Sequence, residues 1–260
     1  MKQFSNWSKK AVIILFWLIL WQLLAAAVQN QILLVSPLDT LRALSELIST
    51  PEFWSSIRFS FFRICLGFLM AFGAGLSTGA LAYKIPVVGE FLAPPIHLMK
   101  SIPVASFVIL ALIWTGSENL SVFISFMVVY PVIHVSTLAG LHSADPKLLE
   151  MARVFHVPAW RQILYIYRTA LYPYLASTLK TALGMGFKSG IAAEVIGVPD
   201  GSIGAGLYMA KIYLSTAELF AWTFVIIVIS ILFEKAFLFL LKKAAGKGAV
   251  TDDRNERSGH

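Results

Sequence analysis

The ionisable side chains Lys188 and Glu194 lie within a largely apolar run in the last third of the chain. A charge at membrane depth is costly in lipid, so it faces a solute path or a protein partner. At this spacing on a helix the two lie about 9 Å apart along the axis and on different faces, which argues against a direct pair. Lys188 on a solute path would favour anions. The competing reading is an ammonium that snorkels to the interface or pairs where helices meet.

The second group of candidates is Glu150, Ala152, Arg153, Phe155 and His156, inside the polar stretch 142–169. Asp145 is a plausible N-cap, and Pro146 suits the first helical turn. Leu148, Ala152 and Phe155 then share one face. Glu150 and Arg153 face elsewhere at pairing distance. Pro158 closes this helix near Phe155–Val157 and opens another. A short amphipathic helix of this kind suits the groove of a partner. Spacing alone equally allows a surface helix that only connects two spans.

The elements around these residues follow from composition. The chain has 260 residues, 58% hydrophobic and 13% charged, with net charge +7 and mean hydropathy +0.75. A soluble domain carries about a quarter charged residues. That much apolar surface calls for lipid as its solvent. The basic residues fall between and beyond apolar runs, as the positive-inside rule arranges them, and not as a nucleic-acid-binding patch. Cys65 is the only cysteine, which excludes an internal disulfide and a cysteine-based metal site.

The uncharged run Ala11–Val28 reaches roughly 27 Å at about 1.5 Å per residue. It reads as a retained span and not as a signal peptide. Further spans are expected at 59–82, 102–115, 120–141, 170–196 and 220–241. Pro131 is expected to kink the fourth, and Pro173, Gly184, Gly186 and Gly190 to interrupt the fifth. Gly75 and Gly79 form a GxxxG spacing that permits close helix approach. Residues 29–53 suggest a loop with a short amphipathic helix. In 83–100, Pro94 and Pro95 are expected to break helix. Gly116 starts a tight turn, and 198–218 reads as a glycine-containing loop.

With the N-terminus inside, the cytoplasmic segments are 1–10, 83–100, 142–169 and 242–260. They hold most of the lysine and arginine, while the external loops hold little beyond Arg42 and Lys211. The expectation is an all-α polytopic membrane protein with six transmembrane helices. It has a transmembrane domain over 11–241 and a polar tail over 242–260.

Glu150-Met151-Ala152-Arg153-Val154-Phe155-His156 resembles the EAA loop of importer permeases of the ATP-binding-cassette superfamily. Glu150 and Ala152 match that pattern, and Ile166 falls at its isoleucine. His156 replaces its glycine, and Arg168-Thr169 replaces its Leu-Pro. Ser101-Ile102-Pro103 with Leu112-Ile113-Trp114-Thr115-Gly116 is similar to the third span of the nitrate, sulfonate and taurine permease group. Ala192-Ala193-Glu194-Val195-Ile196-Gly197 with Ile203-Gly204-Ala205-Gly206-Leu207 is similar to the end of its fifth span and the loop beyond.

The resemblance covers roughly residues 56–233. It implies the type I importer fold in the bacterial inner membrane, with two permease copies as a homodimer. It also implies two cytoplasmic ATP-binding subunits, an external solute-binding protein and alternating access driven through 142–169. Glu150, Ala152, Arg153, Phe155 and His156 would then couple to the ATPase, and Lys188 and Glu194 would line the solute path. The group moves nitrate, sulfonates, taurine, bicarbonate and pyrimidine precursors. His156 stands where the group's glycine permits positive φ, so a different turn is expected there.

Nothing in the chain supplies catalysis. GxxxxGK[ST] and HExxH are missing from the sequence, no nucleophile elbow is expected, and Gly201–Gly206 lacks the strand context of a dinucleotide fingerprint. His97 and His134 are too isolated for a metal site. No cofactor is expected. The alternative reading is an ATPase-independent secondary transporter or a membrane enzyme. Repeated halves with broken helices would mark the first, and none is visible.

Overall fold

The computed structural model describes residues 2–30 and 32–245. These form helices α1 (Lys2–Val28), α2 (Pro37–Ile48), α3 (Pro51–Lys84), α4 (Pro86–Ser101) and α5 (Val104–His142). Then come α6 (Pro146–Val154), α7 (Ala159–Gln162), a π-helical segment (Ile163–Tyr167), α8 (Arg168–Gly197), α9 (Ile203–Ile212) and α10 (Thr216–Ala245). The expected polar tail beyond 245, with Lys247, Arg254 and Arg257, lies outside the described residues.

The chain divides into two compact units. One takes the chain up to Ser60 together with Val198–Val228. In it Trp21 donates from its indole Nε1 to the Val35 carbonyl at 3.0 Å, and its ring lies 5.6 Å from that of Phe220. Phe53 meets Trp222 at 5.0 Å, and Gly206 lets α9 close on that indole, since a Cβ there would lie 2.8 Å from it. Ser36 caps α2 ahead of Pro37, accepting from the Asp39 N–H. The helix expected in 29–53 is therefore present, and its local signals explain it. The stretch 198–218 is not merely a loop. Ser202 accepts from the Ala205 N–H at 2.9 Å and starts α9, a cap that outweighs the low helix propensity of Gly204 and Gly206.

The other unit takes Phe61–Gly197 together with the chain from Ile229. Its core joins Phe68, Val129, Ile133, Leu179 and Leu183, with Phe233 and Phe237 packed against them. Gly75 and Gly79 let α3 press onto α5: a Cβ on Gly75 would sit 2.8 Å from Ile133, and one on Gly79 2.7 Å from Thr137. In lipid such close backbone approach replaces the hydrophobic effect as the source of packing energy. His134 is buried between these helices, its Nδ1 2.9 Å from the Thr78 hydroxyl, which makes it a structural histidine.

Within α5 only Gly116 leaves helical dihedrals, at φ 71° and ψ 170°. Phe107 and Phe123 stack at 5.9 Å on either side of it. A straight helix would separate them by about 24 Å, so α5 is a hairpin of two arms, as the expected turn requires. Helical dihedrals carry through Pro131, where a kink is expected. The prolines of 83–100 do not break structure either: α4 holds both Pro94 and Pro95. Each removes one backbone bond, which a membrane helix tolerates when neighbours satisfy the freed groups. Likewise α8 runs unbroken through Pro173 and its glycines.

Among the described residues four helices are long and apolar enough to cross a membrane: Ala11–Val28, Pro51–Lys84, Val104–His142 and Thr216–Lys243. The expected count of six differs for two physical reasons. Val104–His142 holds two of the expected spans in a helix that folds back at Gly116, and Arg168–Gly197 is diluted by Lys180, Lys188 and Glu194. Most apolar side chains of α1 and α10 are uncovered, as a lipid-facing helix requires.

Candidate functional site: the α6 loop and the charges of α8

Helix α6 is bounded on both sides by local chemistry. The Asp145 carboxylate accepts from the Lys147 N–H at 2.9 Å, and Pro146 occupies the first turn. At the other end Phe155 is the C-cap and His156 takes φ 48°. The His156 N–H donates to the Arg153 carbonyl at 3.1 Å, and the Val157 N–H reaches back to the Ala152 carbonyl at 2.9 Å. This paired closure is the Schellman arrangement, which needs a left-handed residue. A different turn was expected from histidine in the glycine position. The turn is in fact the left-handed one that a glycine would make, and His156 bears its strain.

The five sequence-predicted residues of this loop lie on α6 and its cap. Ala152 is buried at 1% exposure, whereas Phe155 is 74% exposed. The shared face expected for Leu148, Ala152 and Phe155 is therefore divided. Ala152 turns inward, and the uncovered apolar set is Leu148, Met151, Val154 and Phe155, continued by Trp160 beyond the turn. Glu150, Arg153 and His156 are exposed. Glu150 and Arg153 do not reach ion-pair distance, because both extend outward from the short helix.

The second short helix expected in 142–169 is not separate. Gln162 and Arg168, which flank the π-helical segment, keep right-handed helical dihedrals, so α7 runs on into α8. A π-helical turn is uncommon and occurs often where a helix must do mechanical or chemical work. Around it stands a cluster that sequence spacing does not reveal. The Tyr83 ring meets His142 at 5.0 Å and Tyr167 at 5.7 Å, both edge to face.

On α8, Lys188 is exposed and Glu194 is fully buried at 0% exposure. They sit on different faces, as the helical spacing predicts. The arrangement brings the coupling candidates together and keeps the two α8 charges apart from them and from each other. Beyond these, Arg63 donates to the Asn119 side chain at 2.9 Å and to the Glu118 carbonyl, and it pairs with the Glu118 carboxylate at 3.3 Å. It thereby clamps the turn of the α5 hairpin to α3.

A family described as "binding-protein-dependent transport system inner membrane component" matches residues 63–244. An aliphatic sulfonates transport permease protein of Bacillus subtilis (strain 168) is 26% identical over 241 residues, 92% of this chain and 86% of that one. The taurine transport system permease protein of Escherichia coli (strain K12) is 25% identical over 182 residues, 70% of this chain and 66% of that one. A nitrate import permease protein of Leptolyngbya laminosa is 26% identical over 163 residues, 62% of this chain and 57% of that one.

Proposed function

Because the chain belongs to the family of binding-protein-dependent transport-system inner-membrane components, we propose that it forms the solute path of an ATP-driven importer. Its relatives are ATP-binding-cassette permeases, and it is an all-helical membrane protein of that group. In this reading it takes no chemical step itself. Two separate ATP-binding subunits hydrolyse ATP, an external binding protein delivers solute, and a second copy of this chain completes the path. In this reading the chain crosses the membrane six times with both ends inside, the two arms of α5 and the long α8 being three of the spans.

The observation that carries this reading is α6 itself. It is a capped, rigid helix that leaves Phe155, Val154, Met151 and Leu148 uncovered beside Glu150 and Arg153. Such a face suits a groove, with apolar anchors for affinity and charges for orientation. Closure of the ATP-binding pair would carry α6 as a rigid body and turn the spans between inward and outward access.

The solute is a small polar or anionic molecule of the kind named for the relatives. Lys188 supplies the positive charge on the path, where an exposed ammonium at membrane depth is otherwise costly. Glu194, the second candidate for the path, is packed out of reach of solvent on another face of α8.

The test is reconstitution with the neighbouring ATPase and binding protein. ATP-dependent uptake of taurine, an alkanesulfonate, nitrate and bicarbonate is measured in turn. Uptake of one of them is expected, with a loss in Lys188→Ala that Lys188→Arg largely restores. Uptake unchanged in Lys188→Ala would remove Lys188 from the path. Uptake independent of ATP would contradict the importer.

A further inference from the structure

Three helices meet at Tyr83. It lies in the last turn of α3, His142 is the last residue of α5, and Tyr167 closes the π-helical segment ahead of α8. Tyr167 and the Arg153 charge of α6 both bear electrostatically on the Tyr83 phenol. All four groups are at the α6 end of this unit, while its other end is held by Arg63 on the α5 hairpin turn.

The joint between α6 and the helix that follows is narrow. It consists of the left-handed His156, then Val157 and Pro158, after which helix resumes at Ala159. A displacement of α6 therefore enters α8 through α7 and the π-helical turn. That turn departs from regular α-helix, a departure frequent at functional sites. A second connection would carry the displacement without relying on it. Two edge-to-face ring contacts on one side chain resist sliding in more than one direction, which suits a mechanical link.

We propose that Tyr83, clasped by His142 and Tyr167, is the positioning residue that passes movement of the α6 loop into α3 and α5. The proposal rests on the importer reading above. The clasp ties Tyr167, at the far end of the π-helical turn, to α3 and α5, so α3, α5 and α8 move together when α6 is pulled. Arg153 has two duties in this arrangement: its exposed side chain faces a partner, and its charge reaches Tyr83.

The experiment is hydrogen–deuterium exchange on the complete complex of this chain with its ATPase, with and without ATP and vanadate. Wild type, Tyr83→Phe, Tyr83→Ala and Tyr167→Phe are compared, and capture of the ATPase is measured beside each. In wild type, trapping is expected to change exchange both in 145–168 and at the end of α3, residues 76–84. Tyr83→Ala should keep ATPase capture and the change in 145–168, and lose the change at 76–84. The two phenylalanine variants keep the rings, so they should retain a reduced change at 76–84.

A wild-type change confined to 145–168 would overturn the clasp. So would a change at 76–84 that survives Tyr83→Ala. Loss of capture in both Tyr83→Ala and Tyr83→Phe would reassign Tyr83 to docking or folding and also overturn it. Failure of wild type to capture the ATPase would instead overturn the importer reading beneath it.

Discussion

His156 illustrates how one residue sets the geometry of the loop. Its φ of 48° closes α6 through the Val157 to Ala152 hydrogen bond. Left-handed backbone costs a residue with a Cβ about 1–2 kcal/mol. Glycine avoids that cost but loses more chain entropy on folding, which offsets part of the gain. His156→Gly should therefore raise stability by up to about 1 kcal/mol, read as a higher unfolding midpoint of the purified chain. His156→Val should lower it. A lower midpoint for the glycine variant would show that the imidazole makes a contact worth more than the strain. The sequence marked this position only as a departure from a pattern. Whether the turn or the residue would yield depends on the hydrogen bonds on both sides of it, and these are not visible in residue types.

At the scale of elements, legibility followed the range of the signals. The bounds of α6 come from Asp145, Pro146 and Pro158, all local, and were readable. The α5 hairpin was readable from Gly116. Helix α4 was not, because Pro94 and Pro95 oppose helix locally and are overruled by their surroundings. The π-helical turn at Ile163–Tyr167 has no compositional signature, so α7 and α8 could not be recognised as continuous. The GxxxG spacing of Gly75 and Gly79 indicated a close approach without naming the partner, which the structure identifies as α5. Gly79→Val would place branched carbons against Thr137 and should cost about 1–3 kcal/mol through overpacking. The check is thermal unfolding in detergent beside Gly73→Val, whose added carbons meet open space. Equal losses in the two variants would contradict this account of the α3–α5 contact.

For the whole molecule, composition and charge placement establish a membrane protein, and the family match makes it a transport component. Chemistry at the site was legible by type: charges on α8 and an uncovered face on α6. What spacing could not supply was direction. It put Ala152 and Phe155 together, and the fold turns one inward and the other out. The central claim is that this outward face docks an ATPase. It is tested most directly by capture of the neighbouring ATP-binding subunit with the purified chain, comparing wild type, Phe155→Ala and Glu150→Ala. Because Phe155 is 74% exposed, its truncation should leave the unfolding midpoint of the chain unchanged. The account predicts stable capture by wild type, at least about tenfold weaker capture by Phe155→Ala as an anchor residue, and weakened capture by Glu150→Ala. Wild-type affinity in both variants would contradict the placement of the docking face on α6, and absence of capture by wild type would contradict the importer itself.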